Sequence, residues 1–261
     1  MKFTKMQGLG NDFVVLDCRS GLPEEMGRLA PALCDRRLGV GADGVLCLCC
    51  SDRADWRMRI FNADGSEAET CGNGLRCVGR WLREHGLLEG EIVQIETGAG
   101  VRRLVVPAVG SVTAEMGLPR VGEKRKIAVK DIAYTGTEVS MGNPHFVIPV
   151  GSLSEVPLAE LGPLLEQSFP GGINVELVRQ VCQERIELRV WERGCGETAA
   201  CGTGACAAAA ALHARGELED WVTVVMPGGR AEARFDRLGR AALTAPAVTV
   251  YEGELAEGWT W

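Results

Sequence analysis

The chain repeats itself, and this constrains its fold more than any other feature. Arg59-Ile60-Phe61-Asn62 aligns with Arg189-Val190-Trp191-Glu192. Without a gap, Glu67 then meets Glu197, Cys71 meets Cys201, Gly72 meets Gly202 and Gly74 meets Gly204, at a constant offset of 201 − 71 = 130. Upstream, Gly10-Asn11-Asp12-Phe13-Val14-Val15 resembles Gly142-Asn143-Pro144-His145-Phe146-Val147-Ile148, with one position inserted after the Asn and 143 − 11 = 132. Leu29-Ala30-Pro31 meets Leu161-Gly162-Pro163 at the same 132, and a two-residue indel reconciles the offsets. Chance can produce one such match but not six in order, so self-similarity of this kind reads as an internal repeat.

Two homologous halves are expected, 1–117 carrying Cys71 and 118–261 carrying Cys201. They meet where Gly117, Pro119 and Gly122 punctuate the chain. The division leaves open whether the last strand packs on the first half. Strands fit Phe13 to Asp17, Gly44 to Cys49, Trp56 to Phe61, Ile92 to Glu96 and Val101 to Val106. Helices fit Glu24 to Arg36, the stretch from Cys71 to about His85, and Ala205 to Ala211 with a stop near Arg215-Gly216. Strand and helix do not alternate regularly enough for a doubly wound sheet, so the class is α+β with β dominant.

Composition excludes several roles. A net charge of −7 argues against nucleic acid as a partner, since neutralising phosphates needs a basic surface. Only five of the 28 basic residues are Lys, so no polybasic arm exists. The opening Met1-Lys2-Phe3-Thr4-Lys5-Met6 lacks a signal-peptide core, and the apolar runs Val45 to Cys50 and Ala205 to Leu212 are too short to span a bilayer. A cytoplasmic location is expected. In a reducing compartment the 11 cysteines are thiols. Cys18, Cys34, Cys47, Cys49, Cys50 and Cys182 lie in apolar runs and read as packing residues.

Cys71 and Cys201 differ from these. Each precedes a Gly-x-Gly turn that opens a helix, where the first N–H groups lack intrahelical acceptors, bind anions and favour thiolate. Lowering a thiol from about 8.5 by about 1.5 units needs about 2 kcal/mol, the upper end of what a helix terminus supplies. A polarising group is therefore expected beside each sulfur. His145, after Gly142-Asn143-Pro144, and Glu192, at the start of the second motif, are the candidates. His85 and His213 fall near helix C-termini and read as structural.

Packing the halves about a pseudo-twofold axis would bring both helix starts to one cleft, with an α-carbon between two thiols. That is the geometry of two-base racemisation: one thiolate removes the α-proton and the opposite thiol delivers another. No Lys lies near either motif to form a Schiff base, so no pyridoxal sink is implied. The carbanion would depend on oriented dipoles in a water-excluded pocket. A zinc site is the first rival, since Cys47, Cys49 and Cys50 cluster, as do Cys195, Cys201 and Cys206; their spacings form no paired knuckles. A thiol-redox role would need a short Cys-x-x-Cys pair, and the one such spacing, Cys47 to Cys50, lies in an apolar run away from the Cys71 and Cys201 motifs. A single-cysteine hydrolase leaves the duplicated motif unexplained.

Gly8-Leu9-Gly10-Asn11-Asp12-Phe13, the Asn62 to Gly74 block, Met141 to His145 and the Glu192 to Gly204 block together resemble the diaminopimelate epimerase family, over nearly the whole chain. The resemblance implies two similar domains, each a barrel-like sheet around a central helix. It implies cofactor-independent interconversion of LL- and meso-diaminopimelate in lysine and cell-wall precursor synthesis, with no cofactor or metal. By position, Cys71 and Cys201 would be the acid/base pair and His145 and Glu192 would tune them. Asn11, Asn62, Asn143, Asn174, Glu192 and Arg193 would line the pocket. Gly72, Asn73, Gly202 and Thr203 would present backbone N–H groups to the reacting carboxylate. The small-molecule substrate would be the partner, with neither nucleic acid nor membrane, and a homodimer is left open.

Arg193 with Glu192 and several Asn side chains suits the distal ammonium and carboxylate of such a substrate. The ordinary alternative for Asn11 or Asn174 is a turn position. Three positions depart from the family pattern: Gly44 stands where some members carry Gln, Phe146 where Cys is often seen, and Cys195 where Ala or Val is usual. A related two-cysteine racemase for another amino acid, such as proline or histidine, is the alternative enzyme, and a metal-binding protein the alternative from another class.

Overall fold

The computed structural model describes residues 1–130 and 132–259. In chain order its elements are β1 (Lys2–Gly8), β2 (Asn11–Asp17), α1 (Met26–Cys34), β3 (Gly44–Cys49), β4 (Trp56–Asn62), β5 (Glu67–Ala68), α2 (Gly72–Glu84), β6 (Ile92–Thr97), β7 (Gly100–Val105) and β8 (Val112–Gly117). The second run is β9 (Arg120–Val129), β10 (Ile132–Ser140), β11 (Pro144–Pro149), α3 (Leu158–Gln167), β12 (Asn174–Cys182), β13 (Arg185–Glu192), β14 (Gly196–Thr198), α4 (Gly202–His213), β15 (Trp221–Met226), β16 (Gly229–Phe235), β17 (Ala241–Ala245) and β18 (Val248–Glu254).

The chain divides into two compact units. Unit 1 is Met1–Ala114 together with the segment from Ala245 onward, and unit 2 is Glu115–Thr244. The sequence-based division at 117/118 thus lies three residues from the boundary at 114/115, and β18 returns from the far end of the chain to pair with β1.

Unit 1 has the strand order β18-β1-β2-β3-β4-β6-β7-β8. Unit 2 has the order β9-β10-β11-β12-β13-β15-β16-β17. The two orders are equivalent, down to the parallel pairs β2/β3 and β11/β12 and the short hairpin strands β5 and β14. Register refines the repeat. Phe13 faces Gly44 in β2/β3, and His145 faces Asn174 in β11/β12. Phe13 and His145 are therefore equivalent at 145 − 13 = 132, with no inserted residue after Asn143. The insertion expected from the motif Phe13 and Phe146 share is corrected by the strand pairing.

Each unit wraps its sheet around one helix. α2 touches β1, β2, β3, β4, β7 and β18, while α4 touches β10, β11, β12, β13, β15 and β16. A helix enclosed on all sides has no solvent face, so residues that would normally be exposed must be small or internally satisfied. α4 meets this with Ala205 to Ala211, interrupted only by Cys206, all buried. α2 instead buries Arg76, which donates to the Gly72 carbonyl and Asn73 Oδ1, and Arg80, which donates to the carbonyls of Pro107, Ala108 and Gly110. A second helix covers part of the sheet in each unit. α1 closes a core of Val14, Leu16, Leu29, Leu33, Val45 and Phe61, and α3 one of Phe146, Ile148, Leu161, Leu165, Val175 and Leu177.

Two expectations fail. The helix read as Glu24 to Arg36 is shorter, and neither acidic residues in its first turn nor basic ones in its last turn frame it. Of the cysteines read as packing residues, Cys18, Cys34 and Cys47 are buried, but Cys49 is half-buried and Cys50 and Cys182 are exposed at strand ends. Apolar neighbours in sequence do not place a residue once its strand has ended.

Candidate active site

Cys71 and Cys201 occupy the same place in the two units: the N-cap of the enclosed helix. Both backbones are extended there, at φ −148, ψ 119 and φ −123, ψ 118. The sulfur of Cys71 accepts from Gly74 N at 3.5 Å, and that of Cys201 from Gly204 N at 3.4 Å. Sulfur here does what a Ser or Asp oxygen does at an ordinary N-cap. The loop before each cysteine is tied by the same ion pair, Arg59 to Glu67 at 2.6 Å and Arg189 to Glu197 at 2.8 Å.

Around Cys71, the thiol donates to Asn11 Oδ1 at 3.8 Å, and Asn73 Nδ2 donates to the same oxygen at 3.2 Å. Asn11 is oriented by Asp43, whose Oδ2 accepts from its Nδ2 at 2.8 Å. Asp43 in turn pairs with Arg36 at 2.9 Å, and Arg36 and Lys5 both pair with Asp12 at 2.8 and 2.6 Å. Burial pushes the Asp12 carboxyl up, but its bonds from Arg36 and Lys5 outweigh that and hold it at about 2. Asn62 ends β4 opposite Gly44 and donates to Ser66 Oγ at 3.0 Å. Gly72 is the first helical residue.

The surroundings of Cys201 are drier. The residue is 5% exposed, and its sulfur lies 3.4 Å from Thr203 Oγ1. Asn143 Nδ2 donates to that hydroxyl at 3.4 Å. His145 Nε2 sits 3.1 Å from Asn143 Oδ1, and His145 Nδ1 sits 2.6 Å from Glu176 Oε1. Asn174 donates to the Pro144 carbonyl at 2.9 Å and accepts from Arg193 N at 2.9 Å. The Arg193 guanidinium donates to the Gly171 carbonyl at 3.0 Å. Glu192 is half-buried and accepts from Thr198 Oγ1. Gly202 opens α4.

Electrostatics correct one expectation. A helix N-terminus was expected to lower both thiols, yet burial pushes Cys201 well above its ordinary value. Repulsion from Glu192 and Glu176 adds to this, against the bonds from Thr203 and Gly204 N. A helix end supplies at most about 2 kcal/mol, whereas full burial can shift a group by about 3–5 pKa units, so desolvation wins. Cys201 is therefore a thiol at neutral pH. Burial also raises Glu192, opposed by its bonds to Thr198 and Cys201.

The residues expected from sequence thus fall into two constellations, one per unit: Asn11, Asn62, Cys71, Gly72 and Asn73, then Asn143, His145, Asn174, Glu192, Arg193, Cys201, Gly202 and Thr203. Two functional candidates were missed. Asp43 immediately precedes the strand run Gly44 to Cys49 and carries no motif. Glu176 lies inside the apolar run Ile173-Asn174-Val175-Glu176-Leu177-Val178, and a lone charge there is the signal that was available.

The family model for diaminopimelate epimerase matches this sequence twice in succession, over residues 3–121 and 137–255. The chain belongs to the diaminopimelate epimerase family. Among its relatives, the diaminopimelate epimerase of Bacillus subtilis (strain 168) is 42% identical, covering 97% of this chain and 97% of the other. The diaminopimelate epimerase of Methanococcus maripaludis (strain S2) is 40% identical, covering 98% and 99%. Among solved structures, a hydroxyproline epimerase from Agrobacterium vitis is similar with a TM-score of 0.77 at 18% identity, covering 97% of this chain and 91% of that one. A Bacillus anthracis protein of a phenazine-biosynthesis family gives 0.76 at 20%, covering 98% and 99%. These two share the fold of the diaminopimelate epimerase family across different chemistries, so fold alone does not select the substrate.

Proposed function

We propose that this protein is a cofactor-independent epimerase interconverting LL- and meso-2,6-diaminopimelate, with Cys71 and Cys201 as its acid/base pair. One observation carries the reading: a cysteine caps the enclosed helix at the same point of both units, in a chain that the family model matches twice. Sulfur at an N-cap is within reach of the anion-binding N–H groups of the first turn. An α-carboxylate bound by two such helix starts would hold its α-carbon between the thiols.

Cys201, a thiol at rest, delivers a proton to one face as the Cys71 thiolate removes the α-proton from the other. One C–H bond breaks and one forms, and the thiols exchange protonation states. The reverse reaction starts from that exchanged state, with Cys201 as the thiolate and Cys71 as the thiol. Glu192, whose charge opposes a thiolate at Cys201 and whose own carboxyl is raised by burial, tunes that sulfur. Asn62, Asn73, Asn143, Asn174, Arg193 and Thr203 supply the directional contacts for a substrate charged at both ends. The enzyme works in the cytoplasm on a small molecule; among the described residues no helix is long and apolar enough to cross a membrane.

The test is incubation with LL-diaminopimelate in deuterium oxide without pyridoxal phosphate. Deuterium should enter the α-carbon as the isomer inverts, and Cys71→Ala and Cys201→Ala should each abolish inversion. Full inversion by either variant refutes the paired-thiol assignment. Inversion of proline or histidine but not of diaminopimelate refutes the substrate.

A further inference from the structure

The two units share a frame, but they differ sharply beneath the cysteines. In unit 2 an unbroken series of polar contacts runs from Glu176 Oε1 to His145 Nδ1 (2.6 Å), His145 Nε2 to Asn143 Oδ1 (3.1 Å), Asn143 Nδ2 to Thr203 Oγ1 (3.4 Å) and Thr203 Oγ1 to Cys201 Sγ (3.4 Å). Glu176 and His145 are both fully buried. In unit 1 the equivalent of His145 is Phe13, at 145 − 13 = 132, and that of Glu176 is Leu46, at 176 − 46 = 130. Gly74 and Gly204 point to the same correspondence. A Cβ on Gly74 would meet Leu46 Cδ2 at 2.9 Å, and one on Gly204 would meet Glu176 Oε1 at 2.8 Å.

The fold therefore accepts an apolar pair at this place. A buried carboxylate and imidazole cost desolvation that Leu and Phe do not, so stability does not account for them. Nor are they satisfied by one another alone, since Glu176 Oε2 is buried without a hydrogen-bond partner. What the pair does possess is a direction. The amide of Asn143 gives its Nδ2 to Thr203, which turns its Oδ1 to His145 and requires a proton on Nε2. The 2.6 Å contact with Glu176 fixes the imidazole ring so that its Nε2 faces Asn143 Oδ1. Thr203 Oγ1, already accepting from Asn143, has its hydroxyl proton left for sulfur.

We infer that Glu176 is a positioning residue of the Cys201 half-site, which acts through His145 and Asn143 to hold the Thr203 hydroxyl as a hydrogen-bond donor to Cys201 sulfur. The inference rests on the acid/base assignment of Cys201 made above and extends it to two groups, the Glu176 carboxylate and the Thr203 hydroxyl. When Cys201 gives up its proton, the directed hydroxyl stabilises the thiolate in a pocket that otherwise opposes it. Without the carboxylate, the ring loses the Nδ1 contact that orients it, and the hydroxyl is no longer held toward sulfur.

The experiment reads Cys201 directly, without substrate. Iodoacetamide alkylation is followed against pH, with the Cys201 peptide quantified by mass spectrometry. Thr203→Val should move the alkylation midpoint up by about one pH unit, the worth of one hydrogen bond to a charged group, and Thr203→Ser should restore it. In a Glu176→Gln background the same Thr203→Val change should move it by less than half as much. Equal shifts in both backgrounds overturn the inference, because they mean the hydroxyl is oriented without Glu176. Failure of Thr203→Val to move the midpoint overturns it too. If Glu176→Gln does not fold, Asn143→Ala cuts the same series at a half-buried residue and carries the same expectation. An absence of diaminopimelate inversion by the unmodified protein would instead defeat the proposed function and leave the alkylation result to be judged separately.

Discussion

Replacing His145 and Glu176 by the residues unit 1 uses at the same positions, His145→Phe with Glu176→Leu, separates what the fold needs from what the chemistry needs. Glu176→Leu alone leaves the fully buried His145 without the partner 2.6 Å from its Nδ1. Breaking a buried pair in this way costs about 3–5 kcal/mol. Replacing both members by apolar residues is often neutral or stabilising by about 1–4 kcal/mol. Phe is bulkier than His, and overpacking takes back about 1–3 kcal/mol. The double variant should therefore lie within about 2 kcal/mol of the parent, and the single variant about 3–5 kcal/mol below it. At roughly 3 °C per kcal/mol, the single variant should melt on the order of 10 °C lower and the double variant close to the parent. Thermal unfolding followed by circular dichroism measures both. Inversion should be lost in both, since neither retains the series leading to Cys201. A double variant as unstable as the single one would refute the reasoning, because the pair would then be a requirement of the fold.

Two further outcomes follow from the electrostatics. Glu192 repels the Cys201 thiolate, so Glu192→Gln should lower the pH at which iodoacetamide alkylates Cys201 while slowing inversion; an upward shift would show that Glu192 supports the thiolate. The buried thiols should make the protein alkali-labile: burial pushes Cys34 from 9.0 to about 11 and Cys77 from 9.0 to about 12. The unfolded chain releases these protons first, so their stabilising effect is full below pH 9 and is lost as pH rises through the folded values. The melting temperature should fall between about pH 9 and pH 12 and fall less in Cys34→Ala; a flat profile would contradict the assigned burial.

Much of the molecule was legible because its signals are local. The Cys-Gly-x-Gly elements mark helix starts by their own backbone chemistry, and α2 and α4 begin at Gly72 and Gly202. A short run rich in Val and Leu placed β3 at Gly44–Cys49. The environment of a charge is a different kind of quantity. His145 and Glu176 are 31 residues apart in sequence and meet through the parallel pairing of β11 with β12. Strand pairing also moved the equivalent of His145 from Asp12, where the one-residue insertion would leave it, to Phe13.

By itself the sequence determined the duplication, the two cysteines at equivalent helix starts and membership of a family, because repeats and turn motifs are carried by neighbouring residues. Only the tertiary structure decided that β18 joins β1, that Cys201 lies in a drier and more acidic setting than a helix end alone would create, and that Glu176 stands behind His145. Burial and Coulomb energy depend on distances through space, and those exist only after the strands have paired.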